Sequence, residues 1–84
     1  MTRSIFTTKY KHLCDLLMQA RESQGLTQAQ VAERLNRPQS FVSKYENGER
    51  RLDVIEFLEV AAALGVEAKS LLTIVQGKGE RRKR

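Results

Sequence analysis

Residues 27–48 read TQAQVAERLNRPQSFVSKYENG, and this stretch decides the fold. Thr27 is a good helix N-cap, and Gln30 three positions on completes a T-x-x-Q capping box that opens a helix at Gln28. Leu26, just ahead of the cap, can staple onto Val31. Val31, Ala32 and Leu35 fall on one inward face. Asn36 stops the helix, because asparagine is second only to glycine in tolerating the left-handed region. A second helix starts at Pro38 or Gln39, where proline's missing N–H costs nothing, and ends near Asn47-Gly48. Val42 and Tyr45 lie three apart and point inward. Gln39, Ser40, Ser43 and Lys44 then take the outward side as two i, i+4 pairs, a polar face without an acid. Only Asn36-Arg37-Pro38 join the two helices. So short a link cannot fold them back antiparallel, and they must cross steeply.

The flanking sequence completes an all-α chain with five helical segments. The first runs from about Lys9 to Gln24, capped by Thr7 or Thr8 and ended by Gly25, with Tyr10, Leu13, Leu17 and Ala20 in one stripe and Leu16 beside it. The fourth starts at Asp53 or Val54, where Asp53 and Glu56 form a second capping box, and ends at Leu64 before Gly65. Val54, Phe57, Ala61 and Leu64 are expected to make its core stripe. A short fifth helix covers about Glu67 to Thr73 with Leu71 facing in, and the β-rich run Leu71 to Val75 is too short to compete. The expected organisation is an N-terminal arm at 1–8, one domain at 9–75, and a flexible basic tail at 76–84.

Composition narrows the function classes. An 84-residue chain makes one domain with a thin core, for which dimerisation is a common support. Of the net charge of +5, residues 78–84 (KGERRKR) carry +4, so the body is nearly neutral and basicity alone argues only modestly for nucleic acid. The single cysteine, Cys14, cannot form an internal disulfide, which fits a reducing cytoplasm. The opening MTRSIFTTKYK lacks the apolar run of a signal peptide. No stretch approaches the roughly 20 apolar residues of a membrane span. The expectation is a cytoplasmic protein with no membrane partner. His12, the only histidine, lies two residues from Cys14 and so does not share its helix face; it is read as a surface residue. No Ser/His/Asp set, ligand cluster or phosphate loop is present, so neither an enzyme nor a metal or cofactor site is expected.

The steep crossing of two short helices is the geometry of the DNA-binding helix-turn-helix, whose second helix enters the major groove. The stretch GLTQAQVAERLNRPQSFVSKYENGERRLDVIEFLEVAAALGV resembles the lambda-repressor-like, Cro-type family of phage and bacterial regulators, also called the xenobiotic-response-element family. The resemblance covers roughly Leu13 to Leu72. It rests on R-x-x-x-G-L-T-Q (Arg21 to Gln28), the V-A-x-x-L of the second helix, F-V-S-K-Y-E-N-G (Phe41 to Gly48) and A-x-x-L-G-V (Ala61 to Val66). The sequence departs from the family at Asn36, where glycine is common, and at Arg37-Pro38, where Ser or Thr usually caps the third helix.

The resemblance implies a compact five-helix bundle that binds double-stranded DNA as a homodimeric transcriptional regulator, a repressor reading a palindromic operator. It also implies a cytoplasmic protein, bacterial or phage-encoded, and no small-molecule effector is evident. Carried over by position, Gln39, Ser40 and Lys44 are base readers, and Ser43 touches a base edge or phosphate. Gln28 clamps a phosphate, with Thr27, Arg37, Arg50 and Arg51 as further backbone contacts. Arg21 and Glu46 form a structural pair that orients the third helix. Family members often pair through their C-terminal helices. Leu72, Ile74 and Val75 remain without a core partner here and are the expected dimer interface, with Ile55 and Leu58 off the main stripe of the fourth helix.

Blander readings stand beside these. The polar face of the third helix can be merely solvated, and the arginines ordinary loop charges. Phe41 either touches a thymine methyl or ribose, or packs beside the second helix. The tail Arg81-Arg82-Lys83-Arg84 either adds non-specific DNA affinity or only solubilises. The same fold can also serve as a protein-interaction module without DNA binding, or as a DNA-binding antitoxin or controller protein. The absence of acids on the outer face before Glu46 favours DNA.

Overall fold

The computed structural model describes residues 7–78. Its helices are α1 (Thr8–Ser23), α2 (Gln28–Leu35), α3 (Gln39–Glu46), α4 (Val54–Leu64) and α5 (Ala68–Lys78), and among the described residues there is no strand. Local hydrogen bonds set most of these boundaries. Thr7 caps α1 by accepting from Tyr10 N–H at 3.1 Å. Both capping boxes form: Thr27 with Gln30 at the start of α2, and Asp53 with Glu56 at the start of α4. Asn36 sits in the left-handed region at φ 59°, and Arg37 N–H reaches back to Ala32 C=O at 3.0 Å, closing α2. No helix among the described residues is long and apolar enough to cross a membrane.

The helices close round one core in which Leu17, Val31, Val42, Tyr45, Val60 and Leu64 are fully buried. Helix α1 lies against α3, α4 and α5, while α2 packs on α3 and α4. This packing corrects the expected stripe of α4. Val54 is 71% exposed, and Val60 takes its place beside Phe57, Ala61 and Leu64. Val54 is the first residue of the helix, and its side chain leans back off the end of the packed face. Helix α5 also differs from expectation. It begins at Ala68 and continues past Thr73 to Lys78, so residues 76–78 belong to a helix and not to a tail. No proline interrupts this run, and the helix docks on α1 and α4. His12 is half-buried rather than at the surface, with Nδ1 enclosed and unpaired among the described residues. The arm before residue 7 and the basic residues 79–84 lie outside the described residues.

Candidate nucleic-acid interface

The αL turn at Asn36 and the extended Pro38 (φ −65°, ψ 154°) redirect the chain between α2 and α3, which pack against each other. Helix α3 starts without a side-chain cap, in line with the missing Ser or Thr at that point. Val42, Tyr45 and Glu46 are buried on its inner side, and this anchors its rotation. Gln39, Ser40 and Lys44 consequently stand exposed on the outer side, with Ser43 half-exposed.

One flank of α3 is held by a polar chain that begins in the core. Arg21 donates to both oxygens of Glu46, Nε to Oε2 at 2.7 Å and the terminal nitrogen to Oε1 at 3.1 Å. The Glu46 side chain is only 2% exposed, so the carboxylate depends on this partner. That hydrogen bond is also the main reason the Arg21 pKa is raised, against the opposing effect of burial. Arg21 further donates to Leu26 C=O at 2.9 Å, which fixes the approach to α2. Gln28 Nε2 donates to Glu46 Oε1 at 2.9 Å, and Gln28 Oε1 faces Gln39 Nε2 at 3.4 Å. A buried ion pair is thus linked through Gln28 to the first exposed residue of α3.

The opposite flank is aromatic and cationic. Phe41 is 7% exposed and meets Tyr45 edge-on, with ring centres 5.6 Å apart. Of its two readings, this geometry supports packing, because position 41 turns toward the core edge and away from the outer face. The guanidiniums of Arg37 and Arg50 lie 4.5 and 4.8 Å from its ring centre. Arg37 pairs with Glu59 at 3.3 Å. Arg50 grips Glu56 with two bonds of 3.0 and 2.9 Å. That grip, supported by Asp53 N–H, holds the Glu56 carboxyl down at about 2.

The loop after α3 is fixed from α1. The Tyr10 hydroxyl donates to Arg50 C=O at 2.6 Å and accepts from Leu52 N–H at 3.1 Å. Burial foremost pushes its pKa up to about 12. Arg51 stacks over the Tyr10 ring at 4.9 Å and is otherwise exposed. Cys14 is buried one turn along α1, and its thiol pKa is raised by burial. Thr27 is exposed, with its hydroxyl accepting from Gln30 N–H in the capping box. Sequence reasoning missed Tyr10, Glu56 and Glu59 as supports of this surface. Glu56 was visible as a cap, but nothing local reports an arginine six residues earlier.

The sequence profile of the helix-turn-helix family matches residues 17–71. A solved structure described as an XRE-family like protein from Pseudomonas syringae pv. tomato str. DC3000 is 49% identical, over 86% of this chain and 88% of that one, with a TM-score of 0.81. The restriction-modification controller protein C.AhdI from Aeromonas hydrophila is 27% identical over 79% of this chain and 98% of its own, with a TM-score of 0.70. The controller protein C.Esp1396I, solved as a tetramer with its natural 35 base-pair operator, shares the fold at a TM-score of 0.76 and 17% identity, over 84% of this chain and 93% of that one. No curated protein matches the chain significantly in sequence.

Proposed function

The chain belongs to the helix-turn-helix family of XRE-type regulators, and from that premise we propose that it binds a two-fold DNA operator as a homodimer and represses transcription by occupying it. One observation carries the reading. Gln39, Ser40 and Lys44 stand exposed, side by side and without an acid among them, on a short helix whose rotation is locked by buried residues. Gln can bond bidentately to adenine, and Lys can reach the acceptors of guanine. Ser43 sits at the edge of this face. Gln28, Thr27, Arg37, Arg50 and Arg51 surround it and are proposed to meet phosphates. The operator complex of C.Esp1396I, a protein of this fold, supports that reading, and free N–H groups at a helix start would assist it.

Dimerisation is supported by apolar surface on the last two helices. Leu72 and Ile74 are 49% and 48% exposed, Ile55 and Leu58 of α4 are exposed too, and Val75 is half-buried. A small monomer seldom leaves such residues bare. Reading the two halves of such an operator calls for two copies of α3 about 34 Å apart, one turn of DNA. Selection of bound sequences from a random duplex pool tests the whole reading, with a palindromic consensus as the expected result. Lys44→Ala and Gln39→Ala should each weaken binding to the selected site by about 1–3 kcal/mol and relax preference at particular base pairs. A pool that yields no consensus, or variants that bind like the parent, would overturn it. Leu72→Lys with Ile74→Lys should give a folded monomer with much weaker operator binding, and an unchanged dimer in sedimentation would remove this interface.

A further inference from the structure

Acids beside a DNA-binding face repel the polyanion, yet α4 presents two of them, Glu56 and Glu59, three residues apart on one helix side. Each is engaged with an arginine that flanks α3. Arg37 belongs to the turn before α3 and Arg50 to the loop after it, and both guanidiniums lie within 5 Å of the centre of the same buried ring, Phe41. Two cations on one ring repel each other. Here each carries its own carboxylate, Glu59 at 3.3 Å from Arg37 and Glu56 in a two-point grip on Arg50. The resulting chain, Glu59–Arg37–Phe41–Arg50–Glu56, ties both ends of α3 to α4.

We infer that Glu56 and Glu59 are positioning residues for DNA binding, which hold Arg50 and Arg37 ordered on Phe41 at the edge of the recognition face. The inference rests on the proposed DNA-binding function. A free arginine side chain loses much rotamer freedom when it meets a phosphate, and one already held in place loses less. The arginines remain a third or more exposed on their side chains, so unbonded N–H groups are open to an incoming phosphate oxygen. The carboxylates therefore work through the arginines and touch no DNA themselves.

The sign of the effect separates positioning from simple charge. Glu59→Gln or Glu56→Gln raises the net charge by one, and by Coulomb attraction alone binding to any duplex should tighten. Positioning predicts the opposite for the selected site, a loss of about three- to tenfold per substitution, with binding to scrambled duplex unchanged or tighter. Each substitution keeps an amide oxygen, so the Glu56→Gln side chain can still accept from Asp53 N–H and preserve the cap. Arg37→Lys and Arg50→Lys keep the charge without the planar grip and should show the same loss of preference. Combining Glu59→Gln with Arg37→Lys should cost little more than either alone. Titrations of full-length parent and variants against both duplexes, with melting temperatures alongside, decide the matter. A parent that discriminates the selected site while the Glu→Gln variants bind it equally or more tightly would overturn the positioning role alone. A parent that fails to discriminate at all overturns the DNA-binding reading and this inference with it.

Discussion

Replacing Arg21 by Met should cost far more than replacing Arg37 by Met, although both substitutions remove an arginine from a glutamate. Glu46 accepts three hydrogen bonds: two from Arg21 and one from Gln28. With Arg21 gone, a carboxylate of 2% exposure keeps a single neutral donor. An uncompensated charge of that kind costs about 3–5 kcal/mol. A chain of this size holds about 4–13 kcal/mol in all, at about 0.05–0.15 kcal/mol per residue, so the variant loses about a quarter or more of its stability. Glu59, by contrast, is 52% exposed at its side chain, and breaking its pair with Arg37 should cost under about 1 kcal/mol. The assay is urea unfolding followed by far-ultraviolet circular dichroism, repeated at several protein concentrations because a dimer's stability depends on concentration. Adding Glu46→Leu to Arg21→Met should recover part of the loss, since the stranded charge is then removed. Equal costs for the Arg21 and Arg37 variants would refute the argument that burial makes the first pair structural.

Two tyrosines offer a second comparison. Tyr10→Phe removes a donor to Arg50 C=O and strands Leu52 N–H, at about 1–3 kcal/mol, whereas Tyr45→Phe removes a buried hydroxyl with no partner among the described residues and should cost nothing or stabilise; melting curves of the two variants rank them. Asn36→Ala, forced to keep φ near 59°, should lose about 1–2 kcal/mol while Asn36→Gly loses little or gains, as measured by the same curves. The Glu56 pKa is lowered from 4.5 to about 2 by Arg50 and Asp53. A depressed carboxyl stabilises the fold above its unfolded pKa, so this contribution is full at neutral pH and is lost as pH falls from about 4.5 toward 2. The stability gap between parent and Glu56→Gln, followed by denaturation against pH, should therefore be widest near neutrality and close through that window; a gap that widens in acid would contradict the assignment.

Much of this molecule was legible along the chain because the signals involved reach only three or four residues. The boxes Thr27–Gln30 and Asp53–Glu56, the left-handed stops at Asn36 and Gly65, and the inward pair Val42 and Tyr45 all depend on local geometry, and the structure has them. The outward set Gln39, Ser40, Ser43 and Lys44 follows from the same helical period once the inner side is known. The link between Arg21 and Glu46 spans 25 residues, and no periodicity within this chain reaches so far; only the resemblance to a family suggested it.

What the tertiary structure alone decided is which partners meet across the fold. Val60 rather than Val54 fills the core because a side chain at the first position of α4 overhangs the packed face. Phe41 becomes the wall between two arginines because its ring is buried edge-on against Tyr45 and the guanidiniums of Arg37 and Arg50 lie over it. Helix α5 docks on α1 and α4 and reaches Lys78, which its local sequence pattern did not show. Tyr10 meets the loop at Arg50 and Leu52 across 40 residues of chain. The sequence was enough for the five helices, for the ends of the first four and for the exposed polar face, since hydrogen bonds and periodicity act over one helical turn. Packing determined how that face is held, since a contact between distant residues exists only after the chain has closed on itself.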